Sequence, residues 1–218
     1  MARPNRGYTT DLFYHVLNRG NNKRKIFKDD MDYELFKYMM FETVKRYEIS
    51  IYAYCLMPNH FHFLIKSRMD HHLSRSMHWL FTSHAKRYHR FHGTVGHIWQ
   101  ERFRAFLVQD DNHFLTVMRY IERNPLRAQL VKNVQDWPWT SLSEKLGSRF
   151  LVSDPPIVLP KEWLGFVNQP LTYCEKKAIE TSLRRNAPYG DTAWTERMCS
   201  KHGLMHTIRP RGRPKKDF

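Results

Sequence analysis

Residues 49–66 read ISIYAYCLMPNHFHFLIK, and this stretch decides the fold. Two runs rich in β-branched and aromatic residues, 49–57 and 60–66, flank Pro58-Asn59, a dipeptide suited to a turn. The pattern predicts a β-hairpin. On a strand, residues i and i+2 share a face. His60 and His62 therefore project side by side, and Phe61 and Phe63 point to the opposite face and anchor the strand. Two imidazoles on a rigid strand are either half of a metal site that draws further ligands from elsewhere, or an exposed pair in a chain with 13 histidines. Spacing leaves both readings open.

Upstream of the hairpin, residues 13–19 (FYHVLNR) read as a short strand that ends at Gly20-Asn21-Asn22. Asp29 and Asp30 stand where a helix N-cap belongs. Leu35, Tyr38, Met39 and Phe41 follow at helical spacing to about Tyr47. Downstream, residues 72–91 carry Leu73, Met77, Leu80, Phe81, His84 and Tyr88 at helical intervals, closed by Gly93 and Gly96. Ile98 to Val108 reads as extended. Asp111 and Asn112 then open a helix through Arg123, with Phe114, Leu115, Met118 and Ile121 as its apolar side, and Pro125 ends it. The order β-α-β-β-α-β-α predicts an α+β, ferredoxin-like (split βαβ) antiparallel sheet with helices on one face. Trp137-Pro138-Trp139 is expected to clamp the chain back onto that core. Beyond residue 150 prolines punctuate the text, and one helical stretch stands near 171–186. This divides the chain into a core unit (1–150), a partly helical C-terminal extension (151–208) and a basic tail (209–218) expected to be disordered when free.

Composition narrows the function. The 218 residues hold 36 Lys+Arg against 21 Asp+Glu, a formal net charge of +15. With 41% hydrophobic residues the chain can build a core, which excludes wholesale disorder. No apolar run approaches the ~18–20 residues a membrane span needs, and the first residues lack the apolar stretch of a signal peptide. Three cysteines, at 55, 174 and 199, form no CxxC pair. They fit a reducing cytosol rather than a disulfide framework or cysteine zinc site. The charge balance points to nucleic acid as partner, the alternative being a protein that merely has a basic pI.

A second string is Met118-Arg119-Tyr120-Ile121-Glu122-Arg123-Asn124-Pro125. Tyr120 and Asn124 are four apart and share a helical face. Taken alone, an aromatic such as Tyr120 beside the apolar stripe reads as a packing residue rather than a nucleophile.

Together these strings resemble the HUH single-strand transposases that use one tyrosine, and among them the REP-associated tyrosine transposases, named for repetitive extragenic palindromes. The matching text is His15-Val16 followed by Asn18-Arg19-Gly20, MPNHFHFLIK at 57–66, GHIWQERF at 96–103, RYIERNPLRA at 119–128 and the closing Trp137-Pro138-Trp139, over roughly residues 8–142. The resemblance implies a metal-dependent endonuclease and strand transferase acting on single-stranded DNA with hairpins. It implies that His60, His62 and Asn124 hold a divalent cation, Mg²⁺ or Mn²⁺, in an open mixed imidazole and amide-oxygen set. It implies that Tyr120 attacks phosphorus to give a 5′-phosphotyrosine and a free 3′-OH. A bacterial cytoplasm, at the nucleoid, is the expected location, and the protein is expected to act as a monomer or dimer.

Arg19, Lys23, Arg24, Arg102, Arg104, Arg119, Arg123 and Arg127 supply backbone charge near the site, and Tyr14, Trp79 and Trp99 are candidate stacking surfaces; each taken singly reads as a solvated surface charge or a core aromatic, and only as a group do they suggest DNA. His71, His78, His84, His89 and His92 crowd one helix and are read as surface residues rather than a second metal site. In the tail, Arg209, Arg211, Arg213, Lys215 and Lys216 surround an Arg-Gly-Arg-Pro core that looks like the AT-hook, which enters A·T-rich minor grooves; a solubilising basic tail is the alternative. The rival to the enzymatic reading is a non-catalytic ferredoxin-like DNA- or RNA-binding or regulatory protein.

Overall fold

Period-2 alternation sorts the strand side chains into two cores, one on each face of a single sheet. The structure, a computed structural model, describes residues 10–147 and 151–209. Strands β1 (Phe13–Arg19), β2 (Ile49–Met57), β3 (His60–Ser67) and β4 (Arg104–Val108) form an antiparallel sheet in the order β2-β3-β1-β4. This is the split βαβ topology. The hairpin register pairs Met57 with His60 across the Pro58-Asn59 turn, and β1 runs beside β3 with Arg19 opposite His60 and Leu17 opposite His62. Only residues 104–108 of the expected extended segment 98–108 form a strand; before them, Trp99 makes an isolated pairing with Gly20.

On one face Tyr14, Val16, Leu56, Phe61, Phe63 and Ile65 pack against α1 (Asp30–Tyr47) and α2 (His72–His92). Asp29 caps α1 by accepting from the Asp32 backbone N–H, and Gly93 ends α2 in the left-handed region at φ 59°. The expected one-sided layer is this pair of helices. The other face is covered too: Phe13, Leu64, Phe106 and Val108 meet Phe114, Val117, Met118 and Ile121 of α3 (Asn112–Glu122).

Short helices α4 (Asn124–Arg127) and α5 (Ser141–Leu146) come next, then α6 (Trp163–Asn168), α7 (Tyr173–Arg185), α8 (Thr192–Lys201) and α9 (Met205–Ile208). The extension shares the α3-side core, where Trp163, Val167, Ile179 and Tyr189 are buried with Tyr120. Tyr189 also extends the hydrogen bonding at β4: its N–H donates to the Leu107 carbonyl at 2.8 Å, and its carbonyl accepts from Gln109 at 3.0 Å. The Trp-Pro-Trp clamp is present. Trp137 Nε1 donates to the Leu56 carbonyl (3.0 Å), Leu56 N donates to the Trp139 carbonyl (2.9 Å), and the Trp139 ring stacks on Tyr33 at 4.6 Å.

One buried acid ties α3 to α5 and α6. Glu122 is fully buried, and its carboxylate accepts from Ser141 Oγ (2.7 Å), Lys145 Nζ (2.5 Å) and Trp163 Nε1 (2.8 Å). A buried carboxylate is tolerated when its lone pairs are filled in this way. It fixes the end of the helix that carries Tyr120. Among the described residues no helix is long and apolar enough to cross a membrane.

Candidate active site

His60 and His62 leave β3 on the α3 face, with ring centroids 5.1 Å apart. The Tyr120 ring stands edge-on to His62 at 5.9 Å, so the second sequence string folds onto the first. These three line a cleft of about 620 Å³ with Arg19, Arg102, Arg104, Arg127 and Arg184 and the carboxylates Glu101 and Glu180. Five guanidinium groups against two carboxylates make the cleft positive. That field suits a phosphate backbone.

The protein keeps the two imidazoles neutral. Burial lowers His60 to about 4, with Arg19 and Arg127 adding to the effect, and burial with nearby His15 and His60 holds His62 well below the ordinary histidine value. Neutral imidazole is the form that donates a lone pair to a metal. Their Nδ1 atoms are already engaged: His60 Nδ1 lies 2.6 Å from Asn59 Oδ1 and His62 Nδ1 lies 2.9 Å from His15 Nε2. His60 and His62 both line the cleft, and a pair of imidazoles has the donor chemistry to hold a divalent ion. Among the described residues no group of three or more His, Cys, Asp or Glu side chains is gathered for a metal.

Asn124, the expected third ligand, is fully buried. Its Oδ1 accepts from Arg127 Nη2 at 2.7 Å, and its Nδ2 donates to the Tyr120 and Ile121 carbonyls at 2.9 and 3.3 Å. In this arrangement the amide oxygen anchors Arg127, whose guanidinium stands 5.1 Å from the Tyr120 ring centroid. Burial raises the Tyr120 phenol above its ordinary value, Arg127 opposes that shift, and Glu180 reinforces it. The phenol is therefore protonated at neutral pH.

The remaining expected residues divide. Arg19, Arg102 and Arg127 are exposed along the cleft. Arg104 also lines it, but Nη2 donates to the Leu183 carbonyl and Nε to Asn186 Oδ1 at 3.2 Å. The expectation of free phosphate contacts does not hold for Arg119 and Arg123. Arg119 donates to the Gln169 and Pro170 carbonyls (3.1 and 2.8 Å) and lies 3.9 Å from the centroid of the Phe166 ring, and Arg123 Nε donates to the Gln169 carbonyl (2.8 Å). Both seat the extension on the core, because the carbonyls that end α6 offer the acceptors. Arg24 donates to the His97 carbonyl at 2.6 Å, and Lys23 is exposed.

The stacking expectation fails for Tyr14 and Trp99, which are buried in the α1–α2 core. Trp79 is half-buried on that same side, with Arg46 over its ring at 4.9 Å. His84 is likewise no surface residue. It lies fully buried against Phe36 and Trp99. Arg209 is exposed, while Arg211, Arg213, Lys215 and Lys216 lie outside the described residues.

Four contributors were given no role at the site by the sequence. Glu180 and Arg184 arrive from α7, more than 50 positions from Tyr120 in the chain, and no local pattern announces them. Asn59 was legible only as a turn residue. Gly20 ends β1 where an added Cβ would meet the Arg24 carbonyl oxygen at 2.5 Å, so only glycine lets that loop close against the hairpin turn.

Comparison with known proteins adds the lineage. The sequence model of a family described as "Transposase IS200 like" matches residues 8–124. A Haemophilus influenzae protein named as a REP-associated tyrosine transposase is 25% identical over 134 residues, covering 57% of this chain and 72% of that protein. A solved structure titled as a REP-associated tyrosine transposase bound to a REP hairpin superposes with a TM-score of 0.57 at 19% identity, covering 73% of this chain and all of that one. A Deinococcus radiodurans transposase structure matches at 18% identity and a TM-score of 0.40, over 55% of this chain and 95% of that one, too distant to argue from.

Proposed function

The chain belongs to the IS200-like transposase family, and from that premise we propose that it cuts and rejoins single-stranded DNA beside hairpins through a covalent bond to Tyr120. The observation that carries this reading is the convergence of Tyr120, His60, His62 and Arg127 on one positive cleft. The hairpins are of the repetitive extragenic palindromic kind, by analogy with the Haemophilus influenzae relative and the hairpin-bound structure.

In the first step the Tyr120 oxygen forms a bond to phosphorus as the 3′ oxygen of the neighbouring nucleotide leaves with its electron pair. The phenolic proton passes to a base or water and the leaving 3′ oxygen takes up a proton from water, so a 5′-phosphotyrosine and a free 3′-OH result. A second 3′-OH reverses the step and joins new ends. Arg127, anchored by Asn124, places a positive charge beside both the phenol and the phosphate, which favours the charge-separated transition state. His60 and His62 would hold a divalent ion, Mg²⁺ or Mn²⁺, which when bound supplies Lewis-acid stabilisation of the phosphate oxygens. Asn124 Oδ1 would join that ligand set through its second lone pair, the first being taken by Arg127. Arg211, Arg213, Lys215 and Lys216 would add phosphate or A·T-rich minor-groove contacts on flanking duplex.

The test incubates labelled hairpin-bearing single-stranded DNA with protein and Mn²⁺ or Mg²⁺. The expected result is a denaturant-resistant adduct that EDTA abolishes. Tyr120→Phe should bind the hairpin as tightly as the parent and form no adduct, since it removes one hydroxyl and keeps the ring. Cleavage at the parent's rate by that variant would overturn the proposal.

A further inference from the structure

His15 lies in β1, fully buried, and is not part of the cleft lining. Its Nε2 sits 2.9 Å from His62 Nδ1. Among the described residues its other nitrogen, Nδ1, has no hydrogen-bond partner, and the Phe106 ring lies 4.8 Å away. A leucine would fill such a place at less cost, so the one hydrogen bond His15 makes is the reason for an imidazole there.

What that bond does is shown by the neighbouring histidine. Asn59 Nδ2 donates to the Lys23 carbonyl at 3.0 Å, so Asn59 Oδ1 is the atom that faces His60 Nδ1 at 2.6 Å. An amide oxygen only accepts. His60 must then carry its proton on Nδ1 and leave the Nε2 lone pair bare. His62 has two choices. If it donates from Nδ1 to His15 Nε2, its own Nε2 is also bare; if His15 donates, His62 carries its proton on Nε2 and cannot bind a metal there.

We propose that His15 accepts from His62 and is a positioning residue, doing for His62 what Asn59 does for His60. Each histidine then presents a bare Nε2 to the cleft, in one tautomer and one ring orientation. Metal-binding histidines are commonly oriented by a partner on the other ring nitrogen. Both the use of the two lone pairs and the direction of the His62–His15 bond rest on the metal reading above, and that direction leaves the His15 proton on its partnerless Nδ1.

Two measurements test this. In metal-free, histidine-¹⁵N-labelled protein, long-range ¹H–¹⁵N correlations should place the His62 proton on Nδ1, as at His60; a proton on His62 Nε2 overturns the proposal. Mn²⁺ titration followed by electron paramagnetic resonance should show roughly 10–100-fold weaker binding in His15→Leu, with hairpin binding in EDTA unchanged. His15→Gln, which keeps an acceptor near the Nε2 position, should recover part of the loss. Parent-like Mn²⁺ affinity in His15→Leu also overturns the proposal. Absence of Mn²⁺ binding by the parent would sink the metal reading and leave the tautomer to decide this one.

Discussion

Strand β3 serves two different regions with alternate residues. Phe61 and Phe63 enter the α1–α2 core, where both are fully buried and stack on each other at 4.2 Å. His60 and His62 enter the α3 side, where the cleft, Tyr120 and the arginines lie. The first region is a packed scaffold and the second a polar wall held by that scaffold. Their difference is one of partners: the phenylalanines need only shape, while each histidine needs a specific atom on its far nitrogen, supplied by Asn59 or His15. Rigidity on one face is what holds the ring positions of the other.

Substitutions one position apart should break different properties. His62→Ala should cut metal-dependent cleavage by more than about 100-fold while the protein stays folded, since it removes a proposed metal ligand from the wall of a polar cleft. Phe63→Ala should instead cost about 3–5 kcal/mol of unfolding free energy through the cavity it leaves. Its activity per folded molecule should change far less. Urea unfolding beside single-turnover cleavage separates the two, and equal losses of both properties in both variants would erase the distinction.

A smaller effect sharpens the same contrast. His84 is the scaffold face's buried histidine, and burial lowers it to about 3, with His89 and His92 adding to the shift. The unfolded chain takes up this proton near ~6.5, so between there and about 3 it binds more protons than the native state. The contribution is therefore fully present above ~6.5 and lost as pH falls, at about 1.4 kcal/mol per pH unit. His84→Leu should make the fall of unfolding free energy between pH 6 and pH 4 shallower by about that amount. Identical slopes in parent and variant would show that His84 is not held neutral by its burial.

The scaffold was the more legible of the two regions. Alternation in 49–66 and the capping residues Asp29, Gly93 and Asp111 are local signals, and they mark the strands and helices closely. Composition alone misplaced Tyr14, Trp99 and His84, because an aromatic or imidazole ring looks the same at a surface and in a core. The site was half legible. His60 and His62 share a face by strand period, whereas Tyr120 reached them only through the sheet order. Arg119 and Arg123 looked like phosphate ligands because the acceptors they meet, the carbonyls ending α6, are long-range partners. His15 showed no sign of its role, since a pairing across β1 and β3 depends on register.

The central claim is that the α3 face of the sheet carries a tyrosine nucleophile. The most direct measurement is to trap the protein–DNA adduct on hairpin-bearing single-stranded DNA, trim the DNA with nuclease, digest with trypsin and map the modified peptide by mass spectrometry. The expected product is a 5′-linked nucleotide on the peptide that begins at Tyr120, after Arg119. A nucleotide on another tyrosine, such as Tyr52 or Tyr189 in the same core, or cleavage with no covalent adduct at all, would contradict it.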